Sequence, residues 1–194
     1  MDNKQRTFVY AFLSRCYQKE LDKRAIEDLK SNVDLLETIG DDTKRWFLTT
    51  DLSIIEESLN IDYNSIFLVN SQPVETLVED SKGEILVGLQ NPVMQFYFNN
   101  GYEIDMNKTD ILAPDHLSIE LGFMQNLAYR DEKRVAYNFL KEHLLRWAPP
   151  YLIGIRSLIE TPFYKDLADF TIEFLFNDFE YLKNSLTMEI NESL

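Results

Sequence analysis

The chain has 194 residues, 45% hydrophobic and 27% charged, the composition of a globular protein long enough to bury a core without staples. A formal charge of −14 argues against a nucleic-acid partner, since phosphate binding relies on Lys and Arg, and suits a basic partner or plain solubility. Six Gly and six Pro are too few for an all-β chain of tight turns, while thirteen Phe and ten Tyr promise an aromatic core with rings left over for a groove.

In chain order, Asn3 to Lys19 carries Phe8, Ala11, Phe12, Cys16 and Tyr17 at helical spacing. Cys16 is the single cysteine, so no internal disulfide forms, and Phe8 to Leu13 is too short for a signal-peptide core or a membrane span. A cytoplasmic protein with no stable membrane insertion is therefore expected. Asp22 caps a second helix whose face is Ile26, Leu29, Val33 and Leu36, ended by Gly40. Residues 41 to 60 read as one or two short helices around Trp46, Phe47, Ile54, Ile55 and Leu59. The stretch 61 to 89 is the least regular and reads as loop with a helical turn, a short hairpin being the alternative.

Asn91-Pro92 opens the next helix, with Val93, Phe96 and Tyr97 on its face, and Gly101 closes it. Residues 102 to 113 form a polar connection. Pro114 and Asp115 start a strong helix bearing Leu117, Leu121, Met124 and Leu127. Another runs from about Glu132 to Trp147, and Pro149-Pro150 is expected to break it before a helix around Leu152, Ile155, Leu158 and Ile159. Thr161-Pro162 starts the last long helix, with Phe163, Leu167, Phe170, Phe174 and Leu175. The fold class is thus all-α, about eight helices in a single compact domain over 1–184. Residues 185–194 are expected to form a frayed tail, and 102–113 a hinge.

Between Arg45 and Lys108 the only basic residue is Lys82, whereas Asp51, Glu56, Glu57, Asp62, Glu75, Glu79, Asp80, Glu84, Glu103 and Asp105 are acidic. This stretch can steer a cationic peptide or simply form a solvated face. Asp115, His116 and Glu120 are the most chemical-looking group, since His116 and Glu120 lie four apart on a helix. They read either as a metal or acid–base site or as a helix start, with Asp115 as cap and His116 donating to a neighbouring carboxylate or carbonyl. His143 is the only other histidine, so three or four convergent metal ligands are hard to assemble. Tyr63 and Phe67 read as core or as the rim of a peptide groove. His143 and Trp147 read as a stacked core pair. No phosphate loop, nucleophile elbow or paired-cysteine motif is present, and no cofactor or catalytic residue is assigned.

Taken in order, Tyr63-Asn-Ser-Ile-Phe67, Pro73-Val-Glu-Thr76, Gly101, Pro114-Asp-His116, Glu120-Leu-Gly-Phe-Met124, His143-Leu-Leu-Arg-Trp147 and Pro162-Phe-Tyr164 resemble the TorD/DmsD/NarJ family of redox-enzyme maturation chaperones. The chain departs from the family pattern at Leu68-Val69-Asn70, where a glycine turn is common. It also carries Thr76 in place of Ser, and has no acid leading Pro114-Asp115-His116. The resemblance implies a TorD-like fold. It also implies a chaperone that holds the twin-arginine signal peptide, the apo form, or both, of a molybdenum-dependent oxidoreductase. The partner surface implied is Tyr63, Phe67, Pro73, Glu75, Asp115, His116 and Glu120. A monomer or a dimer that exchanges its C-terminal helices is expected. The alternatives are a NarJ-type assembly factor for a non-exported subunit and, in another class, a metal-assisted hydrolase using Asp115, His116 and Glu120.

Overall fold

The computed structural model describes residues 2–79, 85–86, 88–105, 111 and 113–192. Among them the backbone forms eleven α-helices and no strand, apart from one isolated antiparallel bridge between Val74 and His116. The all-α expectation is met. The connection 102–113 lies partly outside the described residues, as do Asp80, Glu84 and Lys82 of the acid-rich stretch.

The helices are α1 (Asn3–Gln18), α2 (Lys23–Ser31), α3 (Val33–Ile39), α4 (Asp41–Thr49), α5 (Leu52–Tyr63), α6 (Glu75–Glu79), α7 (Pro92–Asn99), α8 (Leu117–Tyr129), α9 (Lys133–Phe139), α10 (Leu145–Ile155) and α11 (Pro162–Glu192). Residues 64–70 and 140–144 wind with the wider π-helical turn, extending α5 and joining α9 to α10. Packing groups the chain into two compact units, one from 1–18, 73–149 and 174–194, the other from 19–72 and 150–173.

Local chemistry explains most boundaries. Asp22 caps α2 by accepting from the Ala25 N–H at 2.9 Å. The single helix expected over 23–39 is two, because Asn32 leaves helical geometry and accepts from the Leu35 N–H at 3.2 Å, ending α2 and capping α3. Asn91 accepts from Val93 and Met94, with Pro92 in the first turn. Gly101, at φ 75°, closes α7 as a Schellman turn, its N–H on the Phe98 carbonyl and that of Tyr102 on Tyr97.

Two expectations are corrected. Residues 61–70 are helical, since α5 runs straight into the π stretch and buries Tyr63, Ile66 and Phe67 on one side. Pro149 and Pro150 do not break the chain but lie inside α10. A proline's fixed φ is compatible with helix, so two prolines cost backbone donors and local fit rather than forcing an end. Burial on both sides of the pair, with Ala148, Tyr151 and Leu152 all at 5% exposure or less, outweighs that cost.

In the larger unit, α1 lies along α8, where the Ser14 hydroxyl donates to the Ser118 carbonyl at 2.7 Å. The rings of Phe96, Tyr97, Phe123 and Phe139 form its aromatic centre, with centroids 4.5 to 6.4 Å apart. In the smaller unit, Phe67 packs edge-on against Tyr164 and Phe47 against Phe163. There the Asp62 carboxylate accepts from the backbone N–H groups of Glu160 and Thr161 and from the Thr161 hydroxyl, fixing the start of α11. Gly40 is required for space rather than for unusual dihedrals. A Cβ there would collide with Asp166, whose carboxylate accepts from the Thr43 N–H in the first turn of α4.

Candidate functional site

The segments Pro73–Thr76 and Pro114–Leu117, far apart in sequence, brace each other through their backbones. The Glu75 N–H donates to the Asp115 carbonyl at 2.9 Å, and the Leu117 N–H donates to the Pro73 carbonyl at 2.8 Å. The Asp115 carboxylate completes the brace, accepting from the Thr76 N–H at 2.8 Å and from the Thr76 hydroxyl at 2.6 Å. Asp115 therefore serves the first turn of α6, not its own helix. The cap of α8 is His116, whose Nδ1 accepts from the Ser118 N–H at 3.2 Å and lies 2.9 Å from the Ser118 hydroxyl. For that oxygen to donate, the imidazole must be neutral with its proton on Nε2. Burial agrees, holding the His116 pKa down at about 4.

Behind this brace sits a buried acid cluster. Glu75 faces His143, with Nδ1 2.9 Å from Oε1 and 3.2 Å from Oε2. Trp147 donates its indole N–H to Glu120 at 3.3 Å. His143 and Trp147 are both buried, and each serves a different carboxyl group, while the His143 ring also packs on Phe96 and Phe139. Burial pushes the Glu120 carboxyl well above the usual range, the Glu75 charge adds to it, and Asp115 contributes further. Glu120 is thereby biased toward its protonated form, and its Oε1 receives no donor from the protein. Burial above all holds the Tyr97 hydroxyl in its protonated form, with the nearby acids pushing the same way.

His143, itself buried, lines a cleft of about 430 Å³ between α7 and the π stretch 140–144. Pro92, Gln95, Phe96 and Asn99 form one wall, and Lys141, Glu142 and Arg146 the other. Among the described residues, no three His, Cys, Asp or Glu side chains are arranged to hold a metal ion. The acids instead accept from a helix start, a histidine and an indole.

Of the residues expected at a partner surface, Pro73, Glu75, Asp115, His116 and Glu120 come together here, while Tyr63 and Phe67 pack with Tyr164 in the other unit. All are buried except His116, which is half-buried. Sequence reasoning placed Phe96 and Tyr97 on the face of α7 but missed Phe96 as a wall of the cleft beside His143. Both sit on the apolar face of α7, where nothing distinguishes a ring that lines a cleft from any other core ring.

The upward shift at Glu120 has a measurable consequence. Glu120→Gln keeps an acceptor for Trp147 and offers an amide donor to Glu75, so melting at pH 7 should stay close to wild type. Glu120→Ala takes the carboxyl acceptor from the Trp147 indole and opens a cavity beside Glu75, and should cost about 2–3 kcal/mol. Because the folded pKa of Glu120 is raised, its favourable contribution is full below the unfolded value near 4.5 and is lost as pH rises through the folded value. Urea melts from pH 5 to 9 should show that decline in wild type and a flatter profile in Glu120→Gln. A decline as steep or steeper in the glutamine variant would contradict the raised Glu120 pKa.

Comparison with known proteins agrees with this architecture. The family model for the nitrate reductase delta subunit matches residues 48–152, more than half of the chain, from α4 through α10. The chaperone protein TorD of Shewanella pealeana is 25% identical over 93% of this chain and 91% of its own length. The TorD chaperones of Shewanella piezotolerans and Shewanella oneidensis are each 22% identical, covering 95% and 99% of this chain and 95% and 97% of their own lengths. No solved structure matches at comparable significance. With the braced Pro73–Thr76 and Pro114–Leu117 segments inside the matched region, the chain belongs to the TorD/DmsD/NarJ family of redox-enzyme maturation chaperones.

Proposed function

We propose that this protein is a cytoplasmic chaperone for a molybdenum-dependent oxidoreductase. It holds the enzyme's twin-arginine signal peptide, its apo form, or both, while the cofactor is inserted and before export. The observation that carries this reading is similarity to TorD chaperones along nearly the whole chain. Charge supports it, because a signal of this kind is basic and then apolar, and this chain is strongly acidic. In this reading His116 and the cleft beside His143 form the reachable part of the site. Pro73, Glu75, Asp115 and Glu120 hold that part in place from beneath, and Tyr63 and Phe67 do the same within the other unit. No helix among the described residues is long and apolar enough to cross a membrane.

The test is titration of a labelled twin-arginine signal peptide of a molybdenum-dependent oxidoreductase. Exposed ion pairs contribute only about 0–1 kcal/mol each, so several acids must act together. Raising ionic strength from about 0.01 to 0.15 M shortens the screening length from roughly 30 to 8 Å and should weaken binding several-fold without abolishing it. Replacing the arginine pair of the peptide by alanine should weaken binding further. Absence of binding to the peptide, with retention of the apo catalytic subunit, would overturn the signal-peptide part. It would favour a NarJ-type assembly factor, the reading suggested by the family description of a nitrate reductase delta subunit.

A further inference from the structure

The smaller unit carries an apolar face that its own packing does not use. α5 and the π stretch that extends it bury Ile55, Leu59, Tyr63, Ile66 and Phe67 on one side. On the other side Ile54, Ile61, Leu68 and Val69 are 52%, 60%, 49% and 78% exposed. Ile54 and Ile61 are seven residues apart, two helical turns, and so share a face. The wider π turn spreads the next step over Leu68 and Val69. Isolated exposed apolar side chains are ordinary, but four spaced along one helical side form a stripe of the kind that seats another helix.

The charges beside the stripe say what can cover it. Glu57 is exposed between Ile54 and Ile61, with Asp51 and the half-buried Glu56 nearby. No Lys, Arg or His occurs in the sequence from Trp46 to Ser81, and Lys30, which reaches this end of α5 from α2, has its ammonium on the Thr50 carbonyl at 2.6 Å. A second copy related by a two-fold axis would bring this acidic stripe against itself, a like-charge contact. An anionic lipid surface would repel it for the same reason. A cationic partner gains where these two lose.

We propose that the exposed face of α5 and its π extension docks a basic amphipathic helix of a partner protein, with the partner's apolar residues on Ile54, Ile61 and Val69 and its Lys or Arg residues against Glu57 and its neighbours. This surface goes beyond the peptide-holding reading. It draws on none of the residues assigned there, and its test is independent of any signal peptide.

The probe is a fluorescein-labelled helix-forming peptide of leucine and lysine in an amphipathic pattern, titrated into the full chain. A scrambled peptide of the same composition and a leucine–glutamate peptide of the same pattern serve as comparisons. Wild type should bind the patterned lysine peptide and neither comparison peptide comparably. Ile54→Ser with Ile61→Ser should raise Kd at least about tenfold, the loss expected from uncovering two isoleucines. Glu57→Lys should weaken binding and flatten its salt dependence. Phe8→Ser and Tyr129→Ser, at exposed apolar positions elsewhere, should leave it unchanged. Since every substituted side chain is exposed, the variants should keep the wild-type dichroism spectrum and melting. Wild-type affinity in the double serine variant, or equal binding of the scrambled peptide, would overturn the proposal. So would a wild-type dimer that the serine changes dissociate.

Discussion

Asp178→Ala should lower the stability of this protein by about 3–5 kcal/mol, the largest loss expected from any single substitution considered for it. Asp178 lies on α11 with no exposed side-chain surface, and Arg6 on α1 with 1%. The two meet as a fork, Nε to Oδ1 at 2.5 Å and Nη2 to Oδ2 at 3.0 Å, and the Tyr10 hydroxyl donates to Oδ2 at 2.7 Å. The guanidinium also sits 5.3 Å from the centroid of the Tyr181 ring. Removing the carboxylate strands a buried cation and a buried hydroxyl together, and that stranding, more than the worth of the pair, sets the size of the loss. The triple change Arg6→Met, Tyr10→Phe, Asp178→Leu removes every member at once and should return stability to within about 1–2 kcal/mol of wild type. Salt should matter little, because buried charges are poorly screened. Urea unfolding followed by far-ultraviolet dichroism measures both variants, and a single-variant loss below about 1 kcal/mol would mean that water reaches the pair.

That pair also marks how far the sequence could be read. Most helix ends were legible because they are local: Asp22, Asn91-Pro92, Gly101 and Thr161-Pro162 act on residues within one turn. Asn32 was missed, since an asparagine inside a continuous apolar stripe reads as helix unless its side chain turns back to Leu35. Pro149-Pro150 was over-read for the opposite reason, local cost being outweighed by burial that spacing does not reveal. Asp178 was visible in principle as an acid inside the stripe Phe174, Leu175, Leu182 of α11. Its partner Arg6, 172 positions away, was not, because a pairing over that separation leaves no periodic trace.

The candidate site divides along the same line. Family resemblance brought Pro73–Thr76 and Pro114–Glu120 into view, and the structure joins them by the Val74–His116 bridge. Their burial was beyond the sequence. Carboxylates read as surface acids because isolated charges rarely go inside, yet Glu75, Asp115 and Glu120 are buried, each with at least one oxygen accepting from or facing a protein donor. Of these residues His116 is the one that is half-buried rather than buried.

His116 supplies the second large effect, an acid sensitivity that a single substitution should remove. The imidazole is neutral in the folded protein, with its pKa held near 4 by burial, and its Nδ1 accepts from the backbone and hydroxyl of Ser118. Unfolded, the same ring titrates near the ordinary histidine value of about 6.5. The folded pKa is the lower one, so the unfolded chain binds more protons as pH falls. The contribution is full above about 6.5 and is lost progressively down to about 4. A difference of that width corresponds to up to about 3 kcal/mol. Glu120 runs the other way in the same range, gaining as pH falls toward 4.5, so the total stability curve blends the two. Comparison with His116→Asn separates them. Asparagine is a good helix cap and keeps an acceptor for the Ser118 N–H, but it has no proton to gain. Wild type should match or exceed the variant at pH 7 and fall behind it by up to about 3 kcal/mol as pH drops to 4. Urea melts of both proteins at half-unit steps measure that difference directly, and a difference that stays flat between pH 7 and 4 would mean the imidazole is not held neutral at the head of α8.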